Sequence, residues 1–593
     1  MTLLHVAVAG LGALELIRTI HQGWVRLAVR EEPVLLALAV ALPVASACAS
    51  LLAIALGVRT GLRVRALVTD VLTLGSVFAL ALLLSVPFGQ NARPVVGILF
   101  MGCLAARLAP SLLWILRGRE RSGAAIFVLS LIFYGTVTVW AGAATAAQGD
   151  QPHYLLAADR LAKGSLDLAP AYANDSLFGV LTGGLRFGPG DVETHVARTP
   201  VGDRLVQGYG LALLVTPGWA LLGKTGALLV MALVAAFTSL QTWRLCRETI
   251  GAGSYAAVAW AMTSFLAPLP TLAGTIYPNV LGAAAIVWSY RLLFTAERRR
   301  PVRAAIVAGM TLLLTPRDVV AILLIVPFVL SLARPATPSR AGLTDLARRT
   351  GRAALASPFL RTLAGMALAV SLFDLVAYGV PLPYAGYGFG IEMAQRLDSL
   401  PTLSFHAEIG LPGILFDRAF GLAGSAPWTF LGLAGVGVAL AERRAALAPA
   451  LAAVAGSVVA LSVYRLWQGG WSPPNRYIVD VLPLWAPFIG LALPQLRGLV
   501  GRGTVWTLTV LSAFATFLLL AIPNLGLNLH NTSLLTDALE DVLGVSPFSW
   551  LPSFQAPDPA ALVVAWLWSI PLWIGSGLLL RRGFLPRDSV SPG

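Results

Sequence analysis

Again and again this chain runs for about twenty residues with almost no charge. That is the length a helix needs to cross about 30 Å of hydrocarbon. Such runs restrict the chain to one broad solution, a polytopic bundle of α-helices in a membrane. Composition agrees. Of 593 residues, 57% are hydrophobic and 12% charged, about half the charged share of soluble domains. These figures exclude a soluble enzyme, a disordered tail, a collagen and a disulfide-stapled secreted domain.

The net charge of +14 would suit nucleic acid, but the basic residues fall as short clusters between apolar runs. Cytoplasmic loops of membrane proteins have that pattern, so nucleic acid is excluded as a partner. Lys occurs only at 163 and 224. Cys48, Cys103 and Cys246 lie in or beside apolar runs without CxxC spacing, and read as small buried hydrophobes.

Residues 1–17 read as a first span or an interfacial helix. Further spans are expected near 33–57, 66–89, 94–117, 124–146, 224–243, 253–268, 275–294, 302–314 and 317–334, then 357–379, 424–441, 446–464, 477–494, 504–522 and 560–580. The total is about 15 transmembrane helices. Segment 209–222 holds Pro217, is too short to cross, and reads as a half-helix. Three regions follow: extra N-terminal helices (1–123), a core (124–495) and C-terminal helices (496–593).

Charge orients the spans. With 147–208 outside, the inside loops are 58–65, 117–123, 244–252, 295–303, 335–356, 442–445, 495–503 and the tail from Arg581, and every one carries Arg. The outside loops are 147–208, 380–423, 465–476 and 523–559; the last has no Lys or Arg. Only 18–32 conflicts, falling outside if 1–17 spans.

Polar residues in such a chain mark function, and here they gather outside. GDQPHYLLAADRLAKGSLDL (149–168) reads as a helix beginning near Asp150 and lying along the membrane. Leu155, Leu156 and Leu161 line one side, and Asp159, Arg160 and Lys163 the other. The plain reading of Asp150 or Gln151 is a helix cap. YRLWQGGWSPPNRY (464–477) cannot be helical. Arg465 and Arg476 stand there outside, where Arg is scarce; they either grip a phosphate or anchor the loop with Trp467 and Trp471. Looser groups are Tyr277-Pro278-Asn279, Pro316-Arg317-Asp318, YGVPLPYAGYGFG (378–390) and FDRAFG (416–421). Arg317–Asp318 and Asp417–Arg418 also read as local ion pairs. Gly223-Lys224-Thr225 lacks the upstream glycine of a phosphate loop, and Asn174 and Asn531 match N-x-S/T no more than chance would.

In order, GDQPHYL (149–155), YPN (277–279), TPR (315–317), YGVPLP (378–383), FDRAFGL (416–422) and GGWSPPNRY (469–477) resemble the motifs of bacterial polytopic glycosyltransferases of the GT-C superfamily. The type is close to family 39, which includes protein O-mannosyltransferases and the lipid A aminoarabinose transferase. The resemblance covers roughly residues 125–495. It implies an all-α GT-C-like bundle in a bacterial cytoplasmic membrane, with its active site on the extracytoplasmic face. It implies transfer of a sugar from a polyprenyl-phosphate donor to an extracytoplasmic glycan, lipid or protein, with inversion. Asp150 becomes the general base, with His153 the next candidate. Arg476, Arg317 and Arg418 become ligands of the lipid phosphate. Gln151, Tyr154, Tyr277, Tyr384, Tyr387 and Trp471 line the substrate cavity.

The chain departs from the pattern where Gln151 and Asn279 replace acids and Thr315 replaces a histidine. The resemblance therefore implies no certain cofactor, and a divalent metal is not indicated. A transporter or flippase of lipid-linked glycans is the alternative, as is an inactive scaffold. A transporter should carry ionisable residues within its spans, whereas here Asp70 and Asp374 are the main ones, both near ends. The loop 523–559, with Phe548, Trp550 and Phe554, is expected to order over the site or meet the acceptor.

Overall fold

A computed structural model describes residues 93–117, 122–173, 176–182, 195–332, 351–389, 407–464, 466–470, 472–528, 533–555 and 559–585. The expected elements at 1–17, 33–57 and 66–89, the sequons at Asn174 and Asn531, and Arg465 and Trp471 lie outside the described residues.

The chain is mostly helical. In order the main elements are α1 (Arg93–Leu116), α2 (Gly123–Ala144), α3 (Gln151–Ala162), strands β1 (Val196–Thr199) and β2 (Gly202–Leu205), α4 (Gly210–Ile250), α5 (Ser254–Phe265), α6 (Asn279–Tyr290), α7 (Pro301–Gly309) and α8 (Pro316–Leu332). Then come α9 (Pro358–Tyr378), α10 (Ala407–Phe416), α11 (Leu431–Ala441), α12 (Ala448–Ser462), α13 (Ala486–Ala492), α14 (Leu499–Ala521), α15 (Leu534–Leu543) and α16 (Pro559–Phe584).

Among the described residues six helices are long and apolar enough to cross a membrane, and four apolar helices are shorter. The expected spans at 33–57 and 66–89 lie outside that count, and within it several others are shorter for a local reason. Runs that read as single spans break into short pieces: 301–313 is helical only to Gly309 and then tightens into a 3₁₀ turn. The run 482–496 is 3₁₀, α and 3₁₀ in succession, with Pro483, Pro487 and Pro494 along it. Helix α16 leaves Val563, Leu567, Trp568 and Ile574 exposed, which is an apolar surface fit for lipid.

Unbroken, the 41 residues of α4 would form a rod of about 60 Å. They do not, because Leu222 and Gly223 leave helical geometry, Gly223 at φ 58°. Glycine takes that conformation without steric cost. The first half folds back so closely that a Cβ on Gly226 would lie 1.9 Å from the Gly218 carbonyl oxygen. This is the half-helix expected at 209–222. Lys224 Nζ donates to the carbonyls of Gly142 (3.0 Å) and Thr145 (2.6 Å), closing the C-terminal end of α2.

Two ends of the bundle now separate. Arg291 follows α6 and pairs with Glu248 of α4, which also accepts from Thr295 at 2.7 Å. Arg444 donates to the Thr249 carbonyl (3.1 Å), and Arg582 to that of Gln495 (3.3 Å). Loops that the charge pattern put on one side thus meet at one end. Asn279, which opens α6, lies at the other.

Two local findings differ from the expectation. Helix α3 is not half-exposed at its start: residues Gln151 to Ala158 are all buried. Packing against α4 reaches only the edge of its polar face, where Trp219 Nε1 lies 3.4 Å from Asp159, and Lys163 stays exposed. The loop 147–208 also contains a hairpin, with Val196 opposite Leu205 and Thr199 opposite Gly202. Arg204 Nε ties it to the Ala377 carbonyl at 2.7 Å.

Candidate functional site

Asp150 precedes the first turn of α3, in the place of an N-cap, but its side chain makes no capping bond. Pro152 inside the first turn lacks an N–H, so one donor there needs no cap. The carboxylate turns instead to Arg476, whose Nη2 it contacts directly. On its other oxygen it faces His195 Nδ1 at 3.6 Å. Burial pushes the Asp150 carboxyl up, but the charges of Arg476 and His195 and the Arg476 hydrogen bond outweigh it. Asp150 is held well below the usual carboxylate range.

Arg476 is fixed on every side. Nε donates to Asn279 Oδ1 and Nη1 to the Gly469 carbonyl, both at 3.3 Å. Its guanidinium lies 4.0 Å from the ring centre of Tyr277 and 5.4 Å from that of Tyr477. Arg317, at the first turn of α8, stacks on the same Tyr477 ring at 3.7 Å. The Nε of Arg317 is buried with no hydrogen-bond partner. Two guanidinium groups from distant sequence thus share one aromatic ring beside one carboxylate.

The glycines and prolines of 469–477 set this geometry. Gly469 and Gly470 have φ of 91° and 67°, and Asn475 has φ 60°, so the chain turns sharply just before Arg476. Asn475 Nδ2 bonds Ser425 Oγ at 2.5 Å and holds the loop to the segment after FDRAFGL.

Asn279 opens α6 and uses both ends of its amide. Its oxygen accepts from Arg476; its nitrogen donates to Asp480 at 2.9 and 3.2 Å. Asp480 lies beside Asp318, which accepts from Thr315 Oγ1 at 3.1 Å. Arg317 and Asp318 attract each other as sequence neighbours, and Asp318 also bonds Thr315 and faces Asp480. Asp480 was not singled out in the sequence, and the only signal for it is an acid within an otherwise apolar run.

The remaining predicted residues fall into two sets. Gln151 Oε1 accepts from the Ile276 amide at 3.1 Å, and Tyr277 Oη donates to the Gln148 carbonyl at 3.2 Å. Together they lock α3 to the turn before α6. Tyr154 and Tyr387 lie within electrostatic reach of Asp150, Arg317 and Arg476. Tyr384 Oη bonds the carbonyls of Thr311 and Thr315 at 3.2 and 3.3 Å. His153 is buried, bonds Tyr172 Oη through Nδ1 at 2.6 Å, and stacks on His195 with centroids 4.0 Å apart. Burial, followed by the charge of His195, keeps His153 well below the usual histidine range.

Arg418 stands elsewhere. Its amide donates to the Pro552 carbonyl at 3.0 Å and its charge faces Asp537 of α15. Asp417 makes no local ion pair with it. That carboxylate accepts from the amides of Ala419, Phe420 and Phe554 at 2.9, 3.0 and 2.8 Å. Loop 523–559 is thereby pinned: Phe548 and Phe554 are buried, while Trp550 is exposed. Among the described residues no three His, Cys, Asp or Glu side chains form a group that could hold a metal ion.

No family model and no curated protein matches the chain. Two solved structures from Archaeoglobus fulgidus are similar to it, each at 13% identity over 79% of this chain and 61% of theirs. One is an oligosaccharyltransferase in the apo form, with a TM-score of 0.40. The other is the archaeal oligosaccharyltransferase AglB with an inhibitory peptide and a dolichol-phosphate, at 0.36. The chain spans about three fifths of the length of those structures. The chemistry of the site rests on its own residues.

Proposed function

We propose that this protein transfers a sugar from a polyprenyl-phosphate donor to an acceptor hydroxyl at the outer face of a bacterial cytoplasmic membrane. Asp150 is the general base and Arg476 and Arg317 are the phosphate ligands. The observation that carries the reading is the direct pairing of Asp150 with Arg476, beside a second guanidinium on the same tyrosine ring. Transfer with inversion needs a proton acceptor on one face of the sugar and an anion site on the other, since the acceptor oxygen attacks C1 from one face while phosphate leaves from the other. Asp150 and Arg476, in contact here, must therefore part when the donor binds.

In this mechanism the donor phosphate takes hydrogen bonds from Arg476 and from the unpartnered Arg317 Nε. That draws Arg476 away from Asp150. Asp150, no longer neutralised, accepts the acceptor's proton as the new bond forms. The two arginines stabilise charge on the departing phosphate.

The test is transfer by the purified protein in lipid nanodiscs, using a panel of radiolabelled polyprenyl-phosphate sugars and membrane extract as acceptor source. Label should move from carrier to acceptor with wild type and not with Asp150→Asn. No transfer from any donor would remove the reading.

A further inference from the structure

The site as drawn contains a tension. A carboxylate held by an arginine is a weak base, and a proton placed on Asp150 leaves Arg476 facing a neutral acid. The proton needs somewhere to go before the next cycle. Arg476 cannot take it, since guanidinium stays protonated at any working pH. Asn279 and Gln151 are amides. Tyr277 Oη already donates to a carbonyl.

Two histidines remain near Asp150; His153 is buried and bonded to Tyr172 through Nδ1, which leaves His195. It directly precedes β1, and the hairpin that carries it is anchored to the end of α9 by Arg204. The Val206 amide bonds the His195 carbonyl at 3.1 Å, and the residue takes φ 46°, which a non-glycine residue rarely adopts. The ring is thus delivered to one place, with Nδ1 3.6 Å from Asp150 Oδ1, the oxygen on the histidine side. Gln207 Nε2 stands 2.5 Å from the same Nδ1. An amide nitrogen only donates, so Nδ1 carries a lone pair, and the Gln207 N–H must swing off it as Nδ1 takes a proton. The ring stacks on His153 at an angle of 21°. The side chain of His195 is 22% exposed, so it also reaches solvent.

We propose that His195 carries the reaction's proton from Asp150 to water. This rests on the function proposed above. The acceptor O–H gives its proton to Asp150 as its oxygen bonds the anomeric carbon, and the bond from that carbon to the phosphate oxygen breaks with its electron pair on phosphate. Asp150 then passes the proton to His195 Nδ1 and regains its charge and its pairing with Arg476. The imidazolium releases a proton to water. His195 is a positioning and relay residue, since it acts on the acceptor only through Asp150. The groups facing it are Asp150, Gln207 and the His153 ring; Arg476 lies beyond Asp150, and Tyr172 beyond His153.

The experiment is the pH–rate profile of transfer in nanodiscs. The relay works only from neutral imidazole, so the wild-type rate should show an acid limb, falling where His195 is held protonated. His195→Gln keeps a polar side chain and cannot carry a proton. Its rate should be lower by roughly 10²-fold and lack that limb, and added imidazole should restore part of both. An unchanged profile in His195→Gln would overturn the proposal. So would a limb that survives there and vanishes in His153→Phe, since the proton then uses the other ring. If the wild type transfers no sugar, the functional reading fails, and the pairing is read instead from the ring-nitrogen resonance of His195. Asp150→Asn should displace that resonance; an unmoved one would end the inference.

Discussion

The amide of Asn279 donates to both oxygens of Asp480, at 2.9 and 3.2 Å, while its own oxygen receives Arg476. Only an amide can serve both neighbours, since a carboxylate has no hydrogen to give Asp480. The asparagine that stands where the resembled motif has an acid is therefore a working part of this site. The acid is still present nearby, as Asp480.

Asn279→Asp should consequently harm the protein. It would set a third carboxyl group against Asp480 and Asp318, and like charges at that range cannot all ionise. The variant's thermal stability in detergent should fall as pH rises from acid to neutral, because a carboxyl with a raised folded value destabilises the fold where it is forced to ionise. The slope should be steeper than that of wild type, in which Asp318 and Asp480 already crowd each other, and a variant as stable as wild type at pH 8 would refute the account.

Asp150→Asn separates chemistry from structure. Asp150 makes no capping bond, so the change removes no helix cap. Turnover should fall by roughly 10²–10⁴-fold, while expression and helicity persist. Single-turnover rates and donor binding, measured separately, check this. A fully active variant would move the base elsewhere.

Arg476 tests the phosphate side. Arg476→Lys keeps the charge and loses the fork that reaches Asp150, Asn279 and Gly469 together. Binding of a short-chain polyprenyl phosphate should weaken along with the rate. Arg476→Met goes further and leaves burial, which raises the Asp150 value, opposed only by His195 and His153. In wild type the Asp150 value is depressed, so the pair's contribution is present above the ordinary carboxylate range, about 3.9, and is lost only in stronger acid. In Arg476→Met that contribution shrinks, and the loss of stability in acid should shrink with it. Equal pH–stability curves for the two proteins would show that the pair is not formed.

Much of this was legible in the sequence, and the exceptions have physical causes. Asp150, Arg317 and Arg476 stood out because each is a charge against apolar sequence at a helix end, and the structure brings all three together. Arg418 came from a looser group, and it faces Asp537, because position relative to a helix end says nothing about direction around it. His195 and Asp480 gave little signal. The first sits in polar loop sequence where a histidine is unremarkable, and its role depends on a hairpin from a two-residue turn. The second lies in a run that reads as a span. The break at Gly223 was legible, since Pro217 and a short apolar run marked it. The breaks within 301–313 and 482–496 were not, because local tightening leaves hydropathy unchanged.

The last prediction concerns sides. Helix α6 and its continuation carry the chain from Asn279, at the site, to Thr295, about 24 Å away along the helix axis, and Glu297 follows in the turn beyond it. Val201, at the hairpin tip, and Glu297 are both exposed. With Cys48, Cys103 and Cys246 replaced, Val201→Cys and Glu297→Cys provide single thiols at the two ends of the bundle. The Arg-bearing loops that meet near Glu248 should face the cytoplasm, as the charge pattern requires. A membrane-impermeant maleimide applied to spheroplasts should therefore label position 201, and label position 297 only after lysis. Labelling of both thiols from outside would break the assignment of the site to the outer face, and with it the case for a lipid-linked donor there.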